Sequence, residues 1–124
     1  MSYHSAYDEQ ARIVRVTASG EVGKGDHYAA WNAALLLCRQ HSCNKLLVDL
    51  RALSVNCFTV MECYDFGEAV SSTPDSICIA HVLPLSPKVR ENVQFASDVQ
   101  ANRGKTIGDF ETIEEAAKWL LGPK

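Results

Sequence analysis

The stretch Lys45-Leu46-Leu47-Val48-Asp49-Leu50 carries the reading of the fold. It is a short apolar run closed by an acid, and it shows none of the in-out alternation of a strand with one wet face. A strand covered by helices on both faces reads this way, and such strands belong to parallel sheets. A second run of the same kind, Ile77-Cys78-Ile79-Ala80-His81-Val82-Leu83, stops at Pro84. Proline lacks the backbone donor that a ladder needs. Two parallel strands require a crossover between them, and a helix is the usual one.

Helical patterns stand on either side. Upstream, Asp26 can cap a helix running to about His41, with Tyr28, Trp31, Leu35 and Cys38 as its apolar stripe. Between the two strands, a loop over Arg51 to Phe58 leads into Thr59-Val60-Met61-Glu62, the spacing of a capping box. The helix it predicts covers Val60 to about Val70. After Pro84, Ser86 caps a helix with Pro87 at its first position. That helix runs to about Asn102, with Val89, Val93, Ala96 and Val99 or Gln100 inward, and Gly104 closes it. Lys105 to Phe110 reads as a last strand. Thr112-Ile113-Glu114-Glu115 is a second capping box, opening a helix that presents Ile113, Ala116, Ala117, Leu120 and Leu121. At the other end, Ser2 to Tyr7 and Ala11 to Thr17 flank the turn Asp8-Glu9-Gln10 and fit a hairpin. The expectation is one α/β domain over residues 1–124. Its sheet is mostly parallel and four- to five-stranded, with an N-terminal antiparallel hairpin and four helices.

Composition narrows the function classes. The 124 residues include 12 basic and 15 acidic side chains, for a net charge of −3. Nucleic-acid binders carry a basic face, and here the basic clusters Lys88/Arg90 and Arg103/Lys105 lie among neutral or acidic neighbours. No nucleic-acid partner is expected. The longest apolar run, Ala33 to Cys38, is far below the about 20 residues of a membrane span, so no integral membrane segment is expected. Met1-Ser2-Tyr3-His4 does not read as a signal peptide, which predicts a cytoplasmic chain. The five cysteines, at 38, 43, 57, 63 and 78, read as free thiols, and the histidines stand at no metal-ligand spacing beside a cysteine pair. Neither a metal nor a cofactor is expected.

The order of these motifs resembles a known family. A hairpin ends in Val16-Thr17-Ala18-Ser19-Gly20-Glu21-Val22, and a long helix precedes Leu46-Leu47-Val48-Asp49-Leu50-Arg51. Then come Ala80-His81-Val82-Leu83-Pro84, Ala101-Asn102-Arg103-Gly104, and Phe110 with Glu114-Glu115-Ala116-Ala117-Lys118-Trp119-Leu120. From Ser2 to Leu121 the chain resembles the STAS-like, SpoIIAA-like superfamily of bacterial anti-sigma-factor antagonists, and within it the STAS/Sec14-like branch. The resemblance implies an α/β sandwich and a regulatory role. Members of the superfamily bind a partner kinase and are switched by phosphorylation of a serine in an Asp-Ser-Ser/Thr-Gly motif. Here the corresponding stretch is Cys57-Phe58-Thr59-Val60, so the acid, the first serine and the glycine are absent and Thr59 alone retains a hydroxyl. The Sec14-like branch implies an alternative, a small apolar-ligand or lipid-binding carrier.

The candidate sites follow from the layout. Ligands of open α/β sheets bind beyond the carboxyl ends of the strands, where Asp49, Arg51, Ser54, Asn56, Cys57 and Thr59 are expected. These six form the candidate interaction or ligand surface. Thr59 could be phosphorylated at a helix N-terminus, although capping with Glu62 explains it more simply. Cys57 precedes a helix start, which would favour a thiolate, although a plain buried or half-buried thiol explains it more simply, and His81 could act as a base or sit in the core with one nitrogen satisfied. Gly20-x-x-Gly23-Lys24-Gly25 departs from the phosphate-loop spacing and reads as a strand-to-helix turn. Lys88, Arg90, Arg103 and Lys105 could gather to hold an anion, or remain solvated. Trp31, Phe66, Phe95 and Trp119 are the large core anchors. No catalytic set can be assembled from Asp49, Cys57 and His81, so the expected function is non-enzymatic: a regulatory or protein-interaction domain, with a homodimer open.

Overall fold

A computed structural model describes residues 2–22, 24–56, 77–102 and 104–122, with side chains over 3–20, 28–53, 77–102 and 104–122. Its elements are β1 (Ser2–Asp8), β2 (Ile13–Val22), α1 (Lys24–Gln40), β3 (Lys45–Asn56), β4 (Cys78–Val82), α2 (Pro87–Asn102), β5 (Thr106–Phe110) and α3 (Ile113–Leu121). The strands form one five-stranded sheet in the order β1-β2-β3-β4-β5. β1 and β2 are antiparallel, and every later pairing is parallel. The expected α/β domain with its hairpin is therefore observed. The helix expected over Val60 to Val70 lies outside the described residues, which contain three helices.

The hairpin turn is built by Asp8. Its Oδ1 accepts hydrogen bonds from the Gln10 and Ala11 amides, both at 3.1 Å, and Arg12 takes the left-handed conformation at φ 59°. Successive right-handed crossovers in one direction place their helices on one face, and α1 and α2 share a face. Val14, Val16, Leu46 and Ile79 meet Ala34 and Cys38 of α1 there. Ala18, Leu50, Leu53 and Leu83 meet Val89 and Val93 of α2. The opposite face is covered by α3, whose Ala116 and Leu120 pack on Ile13, Leu47, Ala80 and Val82. Double-sided burial explains why positions 46–47 and 79–80 are apolar without alternation. Each such side chain contributes about 1.5–3 kcal/mol on leaving water.

The helix ends behave as their residues dictate. Thr112 caps α3, accepting from the Glu115 amide at 3.1 Å. Gly104 closes α2 at φ 86°. Gly108 has a different role: a Cβ there would lie 2.8 Å from the Phe110 ring, so its absence lets that ring fold back over β5 toward Trp119.

Four details differ from the sequence reading. α1 begins at Lys24 rather than after Asp26. β3 does not end at Leu50. It continues to Asn56 because β2 runs alongside it as far as Val22, with two register shifts that absorb extra β3 residues. These bulges let Leu50 and Leu53, three residues apart, enter the same core cluster. Phe95 and Leu121, expected inward, are 38% and 51% exposed.

Candidate functional site

Asp49 and Arg51 lie within β3, and each is the other's partner. Arg51 donates from Nε to Oδ1 and from Nη2 to Oδ2, both at 3.0 Å, and its amide donates to Oδ1 at 3.1 Å. Burial pushes the Asp49 carboxyl up, but the Arg51 hydrogen bonds and charge outweigh it and hold the group below its ordinary value. The same contacts raise Arg51. Arg15 on β2 also favours the charged Asp49, and is itself paired with Asp8 of β1 at 3.1 Å. Charges thus alternate across the first three strands, on the half of the face that α3 leaves to solvent.

The backbone of Ser54 and Asn56 belongs to β3, whereas Cys57 and Thr59 lie outside the described residues. The ladder between β3 and β4 ends at Asp49↔Val82, while that between β2 and β3 continues to Val22↔Asn56. The β2–β3 pair therefore extends past the carboxyl end of β4. In the β4–α2 connection at that same end, Leu85 is 80% exposed. Of the basic residues, Arg90 bonds to Glu111 and the Pro84 carbonyl, Lys88 is exposed, and Arg103 lies outside the described residues.

A second polar cluster joins three elements. His81 of β4 stands opposite Asp109 of β5 in the ladder, and Ser97 of α2 lies above both. Ser97 Oγ donates to Asp109 Oδ1 at 2.9 Å. His81 Nδ1 lies 3.0 Å from Ser97 Oγ and 3.2 Å from Asp109 Oδ1. A carboxylate oxygen only accepts, so Nδ1 carries the ring hydrogen toward it. In an acyl-transfer triad the serine and the carboxylate face opposite ring nitrogens. Here both meet Nδ1, and the serine gives its hydrogen to the acid, so this arrangement satisfies buried polar groups and does not activate a nucleophile. His81 is a core histidine with one nitrogen satisfied. The sequence reading missed Ser97 and Asp109. Ser97 continues the Val89–Val93 stripe at the next helical step, and Asp109 falls opposite His81 once two strands of equal length are aligned from their first residues. One turn further along α2, Gln100 is buried, and among the described residues its Oε1 has no partner.

A cleft of about 270 Å³ lies at the end of α1, lined by Leu35, Cys38, Arg39, Ser42, Cys43, Asn44 and Ile77. Among the described residues, no three His, Cys, Asp or Glu side chains are grouped to hold a metal, and no helix is long and apolar enough to cross a membrane.

Comparison with known structures supplies the fold's name. The chain is similar to an uncharacterised DUF3478-family protein from Shewanella loihica PV-4, whose crystal structure has a SpoIIAA-like fold. The identity is 16%, the match covers 96% of this chain and 92% of that one, and the TM-score is 0.56. This chain has a SpoIIAA-like fold. The expected fold is thereby shown. No family model matches the sequence, and neither does any curated protein. Within the SpoIIAA-like sheet, Asp49 and Arg51 sit mid-strand on β3, with the Ser54 and Asn56 backbone further along it.

Proposed function

We propose that this chain is a non-enzymatic regulatory domain that works by docking a protein partner, such as a regulatory kinase, at the carboxyl end of its sheet. The extension of β2 and β3 past β4 supports the reading, because it offers backbone past the carboxyl end of β4. Leu85, at 80% exposure beside it, offers an apolar anchor. Arg51 contributes a charged rim. The test is affinity capture with the purified chain against the Leu85→Asp and Arg51→Glu variants, with melting temperature measured in parallel. Leu85 is exposed, so the melting temperature of Leu85→Asp is expected to hold while the partner is released; Arg51→Glu also loses the Asp49 ion pair, so its melting temperature is expected to fall. A partner retained equally by both variants refutes the assignment of this face. The alternative, an apolar-ligand or lipid-binding carrier, draws support from the cleft beside Leu35, Cys38 and Ile77. Native mass spectrometry separates the two, because a carrier keeps an added mass that a docking domain lacks.

A further inference from the structure

The end of α1 brings two cysteines together. The Cys43 amide donates to the Cys38 carbonyl at 2.8 Å, the Ser42 amide points to the Arg39 carbonyl at 3.4 Å, and Ser42 is left-handed at φ 49°. These bonds define a Schellman closure, in which the side chains five positions apart come into contact. In most proteins that contact is hydrophobic; here both partners are thiols. Cys43 packs against the core cluster that contains Cys38, and both line the cleft of about 270 Å³ with Arg39. Cys78 does not compete, because it packs in the α3-side cluster on the opposite face of the sheet.

We propose that Cys38 and Cys43 form a thiol–disulfide exchange site that a small-molecule disulfide, such as oxidised glutathione, converts into an intrachain disulfide. The two thiols have different roles. Cys43 is the half-buried one and attacks first. Its Sγ lies 3.2 Å from the Arg12 carbonyl, 3.4 Å from the Lys45 carbonyl and 3.5 Å from the Lys45 amide, and Arg39 lines the same cleft. The Cys43 thiolate attacks one sulfur of the reagent, the reagent's S–S bond breaks, and one glutathione thiolate leaves. Cys38 then attacks the Cys43 sulfur and releases the second. Two protein thiols are oxidised, one small disulfide is reduced to two thiols, and the two protons pass to the leaving thiolates. Cys38 is the slow partner: burial, then the neighbouring Cys43, push its thiol up to about 11. Its thiolate is roughly one part in ten thousand at pH 7, so ring closure is expected to speed up about tenfold per pH unit through pH 9.

Trypsin offers a direct readout, since it cuts after Arg39, between the two cysteines. The full chain is incubated with oxidised glutathione, alkylated and digested without reduction. The expected product links the peptide 25–39 to the peptide 40–45. Cys38→Ala is expected to trap Cys43 as its glutathione adduct, and Cys43→Ser to slow oxidation of Cys38 at least tenfold. The proposal is overturned if wild-type protein at pH 9 gives only a lasting Cys43 adduct, a bond from Cys38 or Cys43 to another cysteine, or two alkylated peptides.

Discussion

The Asp49–Arg51 pair and the His81–Ser97–Asp109 cluster sit on opposite faces of one sheet and are built in opposite ways. The first closes within three residues of one strand, and its arginine side chain is about half exposed. The second draws on β4, α2 and β5, and Ser97 is 5% exposed. Proximity along the chain gives the first good geometry at little entropic cost, but solvent screens it. The second orders three elements, and removing a member leaves the remaining pair with fewer bonds at a largely buried site. The comparison teaches that good hydrogen-bond geometry is shared by both clusters, while energetic weight belongs to the buried one.

The largest expected effect is at Asp109. Asp109→Ala removes the acceptor shared by Ser97 Oγ and His81 Nδ1 and leaves those two only each other, and should cost about 1–3 kcal/mol in urea denaturation. A loss as small as that of a surface pair would erase the contrast between the clusters. Ser97→Ala should cost about 1–2 kcal/mol, and a double-mutant cycle with Asp109 should show coupling of about 0.5–2 kcal/mol. Strict additivity in that cycle would mean that the two side chains do not act as a unit. Arg51→Ala should cost less than about 1 kcal/mol, and the difference should shrink further in 1 M salt, where the Debye length is about 3 Å. The smallest effect is the pH dependence of Asp49. Its folded carboxyl lies below its ordinary value, so its contribution is present above the unfolded value and is lost as pH falls through the folded one. Asp49→Asn should therefore differ from wild type at pH 7 and converge with it on acidification below about pH 4. A gap that persists at pH 2 would assign the effect to packing.

Legibility follows the same division. Thr112 and Gly104 were readable because capping and left-handed closure depend on residues within one turn, and both occur as expected. Asp49 and Arg51 were singled out from the sequence for similar reasons, though as the end of a strand and not its middle. The extension of β3 through Arg51–Asn56 was read as a loop because its residues lack the apolar run of 46–48; pairing with β2 and two bulges make it strand. Ser97 was invisible as a partner of His81, since only the packing of α2 brings them within 3.0 Å. The candidate positions Cys57 and Thr59 lie outside the described residues, so the sequence remains their whole account.

By itself the sequence determined the alternation of elements, the parallel core strands and the helix ends, because periodicity, capping and turn chemistry act over a few residues. The tertiary structure decided which polar groups meet. Ladder register set His81 against Asp109, and the packing of α2 brought Ser97 to both. The His81–Asp109 contact spans 28 positions of the chain, a separation over which residue identity carries no geometric information until the sheet is assembled.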